Sequence, residues 1–457
     1  MFGRIKTGPP SPLRTDLTSG RAPQCGMSQV CREQVMIKER VGGYQKKGKD
    51  AHGKEVQKAP KFSENIVCQA VFDFADITVM VVRLTSDETF WIVGLRNGII
   101  KLIPASGETP SNIQTLQVTD ESSSCVDVKC VPHKPNEPSE KNHRLVAAYA
   151  SGYVRIWYYT GATPESKLLS TMGEEFIPRE EGNPKSATRK NKKMNQILAC
   201  SCSLDGERFV TGGDDCFIRV YDINQKKVLR TLGSSFSVDK IDGHVMRICA
   251  LQYHPRGGEF PEYKHVFISG GWDDTVQIWD DRFQHSLWVY AGPHISGSDA
   301  LDIEPQSNYI LTSSWRHDST ILQVWKFKDD AVAQLHAALE SLPPGSDSFF
   351  RLNAEQIDVA FRERPIAEVP QQSFEMRSKG YVAKWLGPSF IAFGGSNANV
   401  FRVFTQNKAA STAAVTDLPN GVFSVAFAPS QTNDFQRPLQ LAFAAGPRVY
   451  LARVERK

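Results

Sequence analysis

His244, Ser269 and Asp273 are close in sequence and are the residue types that make a general base, a nucleophile and an orienting acid. Such a set could carry acyl transfer. The signatures that deliver a nucleophile, a phosphate or a zinc ion are missing, however: there is no GxxxxGK followed by Ser or Thr, no GxSxG and no HExxH. The Gly-containing runs TGGDDC (211–216) and GGSNAN (394–399) lie between β-type segments and read as turns. Nine cysteines (25, 31, 68, 125, 130, 200, 202, 216 and 249) form no regular framework, no CxxC pair and no zinc spacing. They are expected to be reduced and packed as small apolar residues, which fits a reducing compartment.

Recognition is the second chemistry on offer. Trp272 in GGWDDT and Trp315 in SSWRHDST stand in turns, the latter followed by Arg316 and His317. Tryptophan and arginine presented together have the composition of a binding hot spot. The plainer alternative lays each ring flat on a neighbouring loop. The basic runs KKGKD (46–50) and TRKNKK (188–193) could meet an acidic surface, though solvation is their simpler fate. No aromatic residue interleaves the second, so nucleic acid is not an expected partner.

The chain that must position these residues has 457 residues, 40% apolar and 23% charged, with a net charge of +4. That balance is typical of a folded soluble protein. The positive excess is local: residues 1–60 hold twelve Lys/Arg against five Asp/Glu. This stretch is rich in Gly, Pro, Lys and Ser and cannot bury enough apolar surface to offset ordering entropy. Residues 1–61 are therefore expected to be a disordered basic tail. The N-terminus lacks a secretory apolar core, and GPPSP (8–12) would break a presequence helix. With no run of 18 apolar residues, no transmembrane helix is expected.

From residue 62 onward, short alternating runs are separated by turns. RNGIIKLI (96–103), SGYVRIWYY (151–159), DDCFIRVYD (214–222), DDTVQIWD (273–280), STILQVWKF (319–327) and NVFRVF (399–404) each place a turn before a strand. Two further strands precede each of these and a fourth follows. Two polar inserts, at about 173–194 and 331–372, take up the length beyond a four-stranded unit. The second begins with Val332, Leu335, Leu339 and Leu342 at helical spacing. Six full units begin near 78, 124, 196, 247, 299 and 379, and a seventh, beginning at 422, lacks its fourth strand. NIVCQAVFDF (65–74) is left over at the other end. Laid beside RVYLARV (448–454), it closes a ring and hides two sheet edges. The expected fold is all-β: a seven-bladed β-propeller over 62–457, with an N-terminal strand closing the last blade.

These units resemble the WD-repeat family. GHVMRICALQYHP (243–255) and HVFISGGWDDTVQIWD (265–280) show a Gly-His opening, a Ser-Gly turn, a turn Asp and a Trp-Asp ending. Residues 208–222 match through Thr211, Asp215, Tyr221 and Asp222, and the other units fit by pattern only. The resemblance implies that His244, Ser269, Asp273 and Trp279 form a buried hydrogen-bond network. That accounts for the Ser/His/Asp set without catalysis, because a buried imidazole and carboxylate need partners. Asn97 and Ser151 replace the turn Asp in the first two units, which are expected to be held mainly by apolar packing.

In such propellers the loops joining fourth to first and second to third strands share one rim. Mapped here, rim positions are Arg96, Asp214, Trp272 and Trp315-Arg316-His317, with Arg247 and Asp299 at inner-strand starts. The inner-strand starts offer one acid, too few for a divalent cation, so no metal or other cofactor is expected. The resemblance thus implies a non-catalytic scaffold or adaptor. It would bind protein or peptide partners through the rim, as a monomeric propeller within a complex, inside the cell, with the cytoplasm favoured over the nucleus or cilium. A fixed subunit of a ciliary, ribonucleoprotein or ubiquitin-ligase particle, and less favourably a propeller hydrolase, stand beside it as alternatives, since fold alone does not name a function.

Overall fold

The computed structural model describes the backbone of 34–37 and residues 59–105, 113–133, 143–160, 165–178, 193–237, 240–316, 320–341, 363–371, 378–406, 411–432 and 437–455. Phe90–Leu95 and Ile100–Pro104 show how the sequence makes a blade. FWIVGL is buried along its whole length because the sheet is covered on both faces. The Asn97-Gly98 turn joining the two strands needs a left-handed residue, and Gly98 supplies it with φ 82°. A Cβ there would come within 2.9 Å of the Ser123 carbonyl oxygen.

Seven antiparallel sheets repeat this plan. Blade 1 is built from Val79–Leu84, Phe90–Leu95, Ile100–Pro104 and Gln114–Leu116. Blade 2 comprises Cys125–Cys130, His143–Tyr149, Tyr153–Tyr159 and Ser166–Gly173. Blade 3 comprises Ile197–Cys202, Arg208–Gly213, Ile218–Asp222 and Lys227–Leu232, and blade 4 comprises Ile248–Tyr253, Val266–Gly271, Thr275–Asp280 and Trp288–Ala291. Blade 5 comprises Leu301–Ile303, Tyr309–Ser313, Thr320–Lys326 and Ala367–Pro370. Blade 6 comprises Lys379–Trp385, Phe390–Ser396, Val400–Thr405 and Ser411–Thr416, with Lys61–Phe62 added outside. Blade 7 comprises Val422–Phe427, Leu439–Ala445 and Arg448–Val454. Its fourth strand is Ile66–Asp73, antiparallel to Arg448–Val454 from Ile66 opposite Val454 to Asp73 opposite Arg448. The ring closes where the sequence places the closure.

The core is divided among the blade interfaces. Val79 and Val82 of blade 1 pack with Ala444 and Val449 of blade 7, while Val81 and Ile100 pack with Cys125 and Tyr149 of blade 2. Blades 2 and 3, 3 and 4, 4 and 5, 5 and 6, and 6 and 7 share apolar clusters of the same kind. Trp91, Trp279 and Trp325 are the largest fully buried side chains, one each in blades 1, 4 and 5. Truncating such a ring costs about 3–5 kcal/mol.

Two features depart from expectation, a strand at the end of the second insert and a strand within the tail, while the helical start of that insert is as expected. The insert expected over 331–372 returns at its end as Ala367–Pro370, the outer strand of blade 5. At its start, the helix Asp329–Glu340 buries Val332 and Leu335 beside blade 4, while Leu342 lies outside the described residues. Within the tail expected to be disordered, Gln34–Ile37 forms a strand antiparallel to Ala70–Asp73. The rest of residues 1–58 lies outside the described residues.

Candidate interaction site on one rim

Pairing of Val266–Gly271 with Thr275–Asp280 sets Ser269 two positions from Phe267, the residue opposite Trp279. Trp279 Nε1 donates to Ser269 Oγ at 2.7 Å, and His244 Nε2 lies 2.6 Å from the same oxygen. His244 Nδ1 is 2.9 Å from Asp273 Oδ2, which also accepts from the Val245 N–H at 3.0 Å. Thr275 Oγ1 donates to Asp273 Oδ1 at 2.9 Å. Burial alone would raise the Asp273 pKa, but His244 and these donors hold it at about 2. His244 and Ser269 are 0% exposed, so no substrate reaches the hydroxyl. The three residue types of a triad act here as a clamp within blade 4.

Beside this clamp the rim carries a run of stacked groups. Trp272 precedes the Asp273-Asp274 turn, and Arg247 Cζ stands 4.4 Å from its ring centroid. Arg247 Nη2 also reaches Asp214 Oδ1 at 2.6 Å, tying blade 4 to blade 3. On its other side Trp272 meets His294 at 5.6 Å between centroids, and His294 meets Trp315 at 5.8 Å. Asp274, in left-handed geometry at φ 59°, holds His294 Nδ1 and Arg316 Nη2, each at 2.7 Å. Lys379 Nζ lies 4.0 Å over the Trp315 ring, whose Nε1 donates to the Tyr381 hydroxyl at 2.8 Å. Tyr381 packs edge-on against Phe423 of blade 7 at 4.9 Å. The arc therefore runs from blade 3 to blade 7. Each exposed cation–ring contact contributes about 0.5–1 kcal/mol.

The structure thus brings together Asp214, Arg247, Trp272, Trp315 and Arg316. The rings do lean on neighbouring groups, as the plainer reading had it: Trp272 on Arg247 and His294, and Trp315 on His294 and Lys379. Arg96 is exposed on blade 1, outside the arc, with its backbone N–H donating to the Thr78 carbonyl at 2.9 Å. His317 lies outside the described residues. His294, Lys379, Tyr381 and Asp274 were missed. His294 falls in an irregular interblade segment, where periodicity carries no signal, whereas Lys379 stands at an inner-strand start and could have been found.

Asp299 is a correction. It was expected at the rim, but it is 0% exposed inside the channel. The segment before Leu301–Ile303 folds inward, and Asp299 Oδ2 accepts from Arg83 Nη1 at 2.8 Å, Ser424 Oγ at 2.6 Å and the Val425 N–H at 3.1 Å. Burial would raise its pKa, but Arg83, Lys384 and Lys129 hold it well below the usual carboxylate range. Among the described residues, His265, Asp280 and Asp281 come close enough to share a metal ion. Arg208 Nε already takes Asp281 at 2.8 Å and Arg282 Nη2 takes Asp280 at 2.7 Å, so two guanidinium groups occupy the place of a cation.

A family model described as "WD domain, G-beta repeat" matches residues 188–222 and 235–280, the stretches that build blades 3 and 4. The chain is a seven-bladed β-propeller that carries WD repeats. It is similar to Cell division control protein 4 of Saccharomyces cerevisiae, 31% identical over 143 residues, covering 31% of this chain and 16% of that protein. It is similar to Pre-mRNA-processing factor 19 of Bos taurus, 25% identical over 173 residues, covering 36% and 30%. Target of rapamycin complex subunit LST8 of Bos taurus is 20% identical over 151 residues, covering 32% and 41%. The chain therefore spans less than half the length of these relatives.

Two blades of this WD-repeat chain replace the clamp with another. In blade 3, Glu174 Oε1 accepts from Thr211 Oγ1 at 2.5 Å and Tyr221 OH at 2.8 Å, as Ser269 serves His244 and Trp279 in blade 4. Arg219 lies 3.3 Å from Glu174 Oε2 and 2.5 Å from Asp215 Oδ2. In blade 2, Glu121 Oε2 accepts from Ser151 Oγ at 2.8 Å and Arg155 Nη1 at 2.5 Å. Blade 2 was expected to rely mainly on apolar packing, yet it holds this buried ion pair, in which Glu121 offsets the burial of the Arg155 guanidinium.

Proposed function

We propose that this WD-repeat propeller is a non-catalytic scaffold that binds protein or peptide partners through the arc from Arg247 to Lys379. The observation that carries this reading is the continuity of Arg247, Trp272, His294, Trp315 and Lys379 across three blades on one rim, all half-exposed except the buried His294 that joins the two tryptophans. Aromatic and arginine anchors fixed by rigid strands lose little conformational freedom on binding. The test is affinity capture with mass spectrometry on the unaltered chain and on a Trp272→Ala, Trp315→Ala double variant. Undiminished capture of every partner by the double variant rejects the reading.

A relative named as a complex subunit supports a narrower version, in which the propeller is a fixed part of a large assembly. Sedimentation of native extract separates the two: a large particle supports the fixed subunit, a free propeller the exchangeable adaptor. Among the described residues no helix is long and apolar enough to cross a membrane.

A further inference from the structure

We infer that the Arg247–Trp272 end of the arc receives a carboxylate side chain of a partner peptide, while an apolar side chain of the same peptide rests on Val245 and Met246. This rests on the rim reading above and gives it a chemistry.

Two donors point there. Arg247 Nη1 and Trp272 Nε1 have no hydrogen-bond acceptor among the described residues, although both are shielded from water. They belong to side chains stacked 4.4 Å apart. A buried donor without an acceptor is costly, and two side by side are satisfied by one group with two acceptor oxygens. Arg247 Nη2 is already held by Asp214, which fixes the guanidinium and leaves its other amino group to be matched. Binding requires the Trp272 indole to tilt so that the carboxylate reaches both donors.

Charge selects the acceptor. Asp214 lies near both Arg247 and Lys193, and Asp274 is shared by His294 and Arg316, so the carboxylates of the arc are engaged within it. Lys379 adds a further cation over Trp315. An incoming carboxylate meets an uncancelled positive field and makes charge-assisted hydrogen bonds, which a neutral amide cannot match. Val245 and Met246, directly before Arg247, are 43% and 46% exposed, an unusual outlay of apolar surface beside a charged group. Together they define a peptide bearing Asp or Glu next to a large apolar residue.

The probe is a displayed library of random twelve-residue peptides panned against the full chain, followed by synthetic peptides of the enriched sequences. The expected result is enrichment of Asp or Glu beside an apolar residue. Changing that acid to its amide should then weaken binding about tenfold, a difference that Arg247→Gln removes. Absence of enrichment, enrichment of neutral or basic sequences, or an acid preference that survives in Arg247→Gln overturns the inference. A phosphoserine peptide held about tenfold more tightly than its glutamate counterpart assigns the site to a phosphorylated partner and overturns the carboxylate assignment. Neutral peptides that still need Trp272 and Trp315 overturn the chemistry and leave the rim reading standing. Capture unaffected by loss of both tryptophans removes both.

Discussion

Arg83 and Asp299 meet inside the channel at 2.8 Å between Nη1 and Oδ2, although blades 6 and 7 lie between the strands that carry them. The other end of the same guanidinium reaches Asp127 of blade 2 at 2.7 Å. Burial alone would lower the Arg83 pKa, but the two carboxylates raise it, and the charge is locked in place. One side chain thus links three blades that share no strand pairing.

Arg83→Met should leave Asp127 and Asp299 buried without that counter-charge, at a cost of about 3–5 kcal/mol in urea unfolding. Adding Asp299→Asn to that variant should restore part of the loss, because the stranded charge is then gone. A single variant that unfolds like the unaltered chain would show the ion pair to be dispensable.

Ser269→Ala removes the one oxygen shared by His244 and Trp279. Two buried nitrogens then lose their partner, and a loss of roughly 2–3 kcal/mol is expected. Calorimetry or urea unfolding reads this directly, and a change under about 0.5 kcal/mol would assign the blade's cohesion to apolar packing alone.

Stability should fall between pH 6.5 and 4 through His254. The side chain is buried, accepts from the Arg256 N–H at Nδ1 and lies 2.6 Å from Asn308 Oδ1 at Nε2, which fixes the neutral ring. Burial pushes its pKa down to about 4, against the opposing effect of the hydrogen bond that Nε2 donates to Asn308. The unfolded chain binds the proton first as pH drops, so this contribution is complete above about pH 6.5 and is lost progressively toward pH 4. The loss is on the order of 3 kcal/mol. In His254→Gln the slope across that window should shrink; an unchanged slope would point to other titrating groups.

Trp272→Ala alone should weaken capture of partners about 30-fold or more, as expected of a hot-spot truncation of about 2 kcal/mol. Its effect on unfolding should stay near 1 kcal/mol, since the ring is only half-buried. Binding and stability falling together in proportion would mark the residue as structural.

The ring, its closure and the blade 4 clamp were legible because each rests on a strict period. Alternation marks strands, the surplus strand at 65–74 fits the unit that lacks one, and His244, Ser269, Asp273 and Trp279 keep the family spacing. Depth in the channel obeys no period, so Asp299 was placed on the surface when the chain before Leu301 turns inward. Glu121 and Glu174 were missed for a related reason: they arrive from interblade loops and are a different residue type from the His they replace. The signal lay in their partners. Arg155 and Arg219 occupy matching positions in VRIW and IRVY, and a guanidinium in a strand covered on both faces is stabilised by a carboxylate nearby.

The pairing of Ile66–Asp73 with Arg448–Val454 also sets a timetable for the newborn chain. Asp73 leaves the ribosome 375 residues before its partner Arg448. At synthesis rates of roughly 5–20 residues per second, that interval is about 20–75 s. Through it an apolar strand waits with the edge that Arg448–Val454 will cover still open, its neighbour Gln34–Ile37 on the other edge being already translated. An edge left open for that long is exposed to mispairing, so closing the ring is a late step in the folding of this chain.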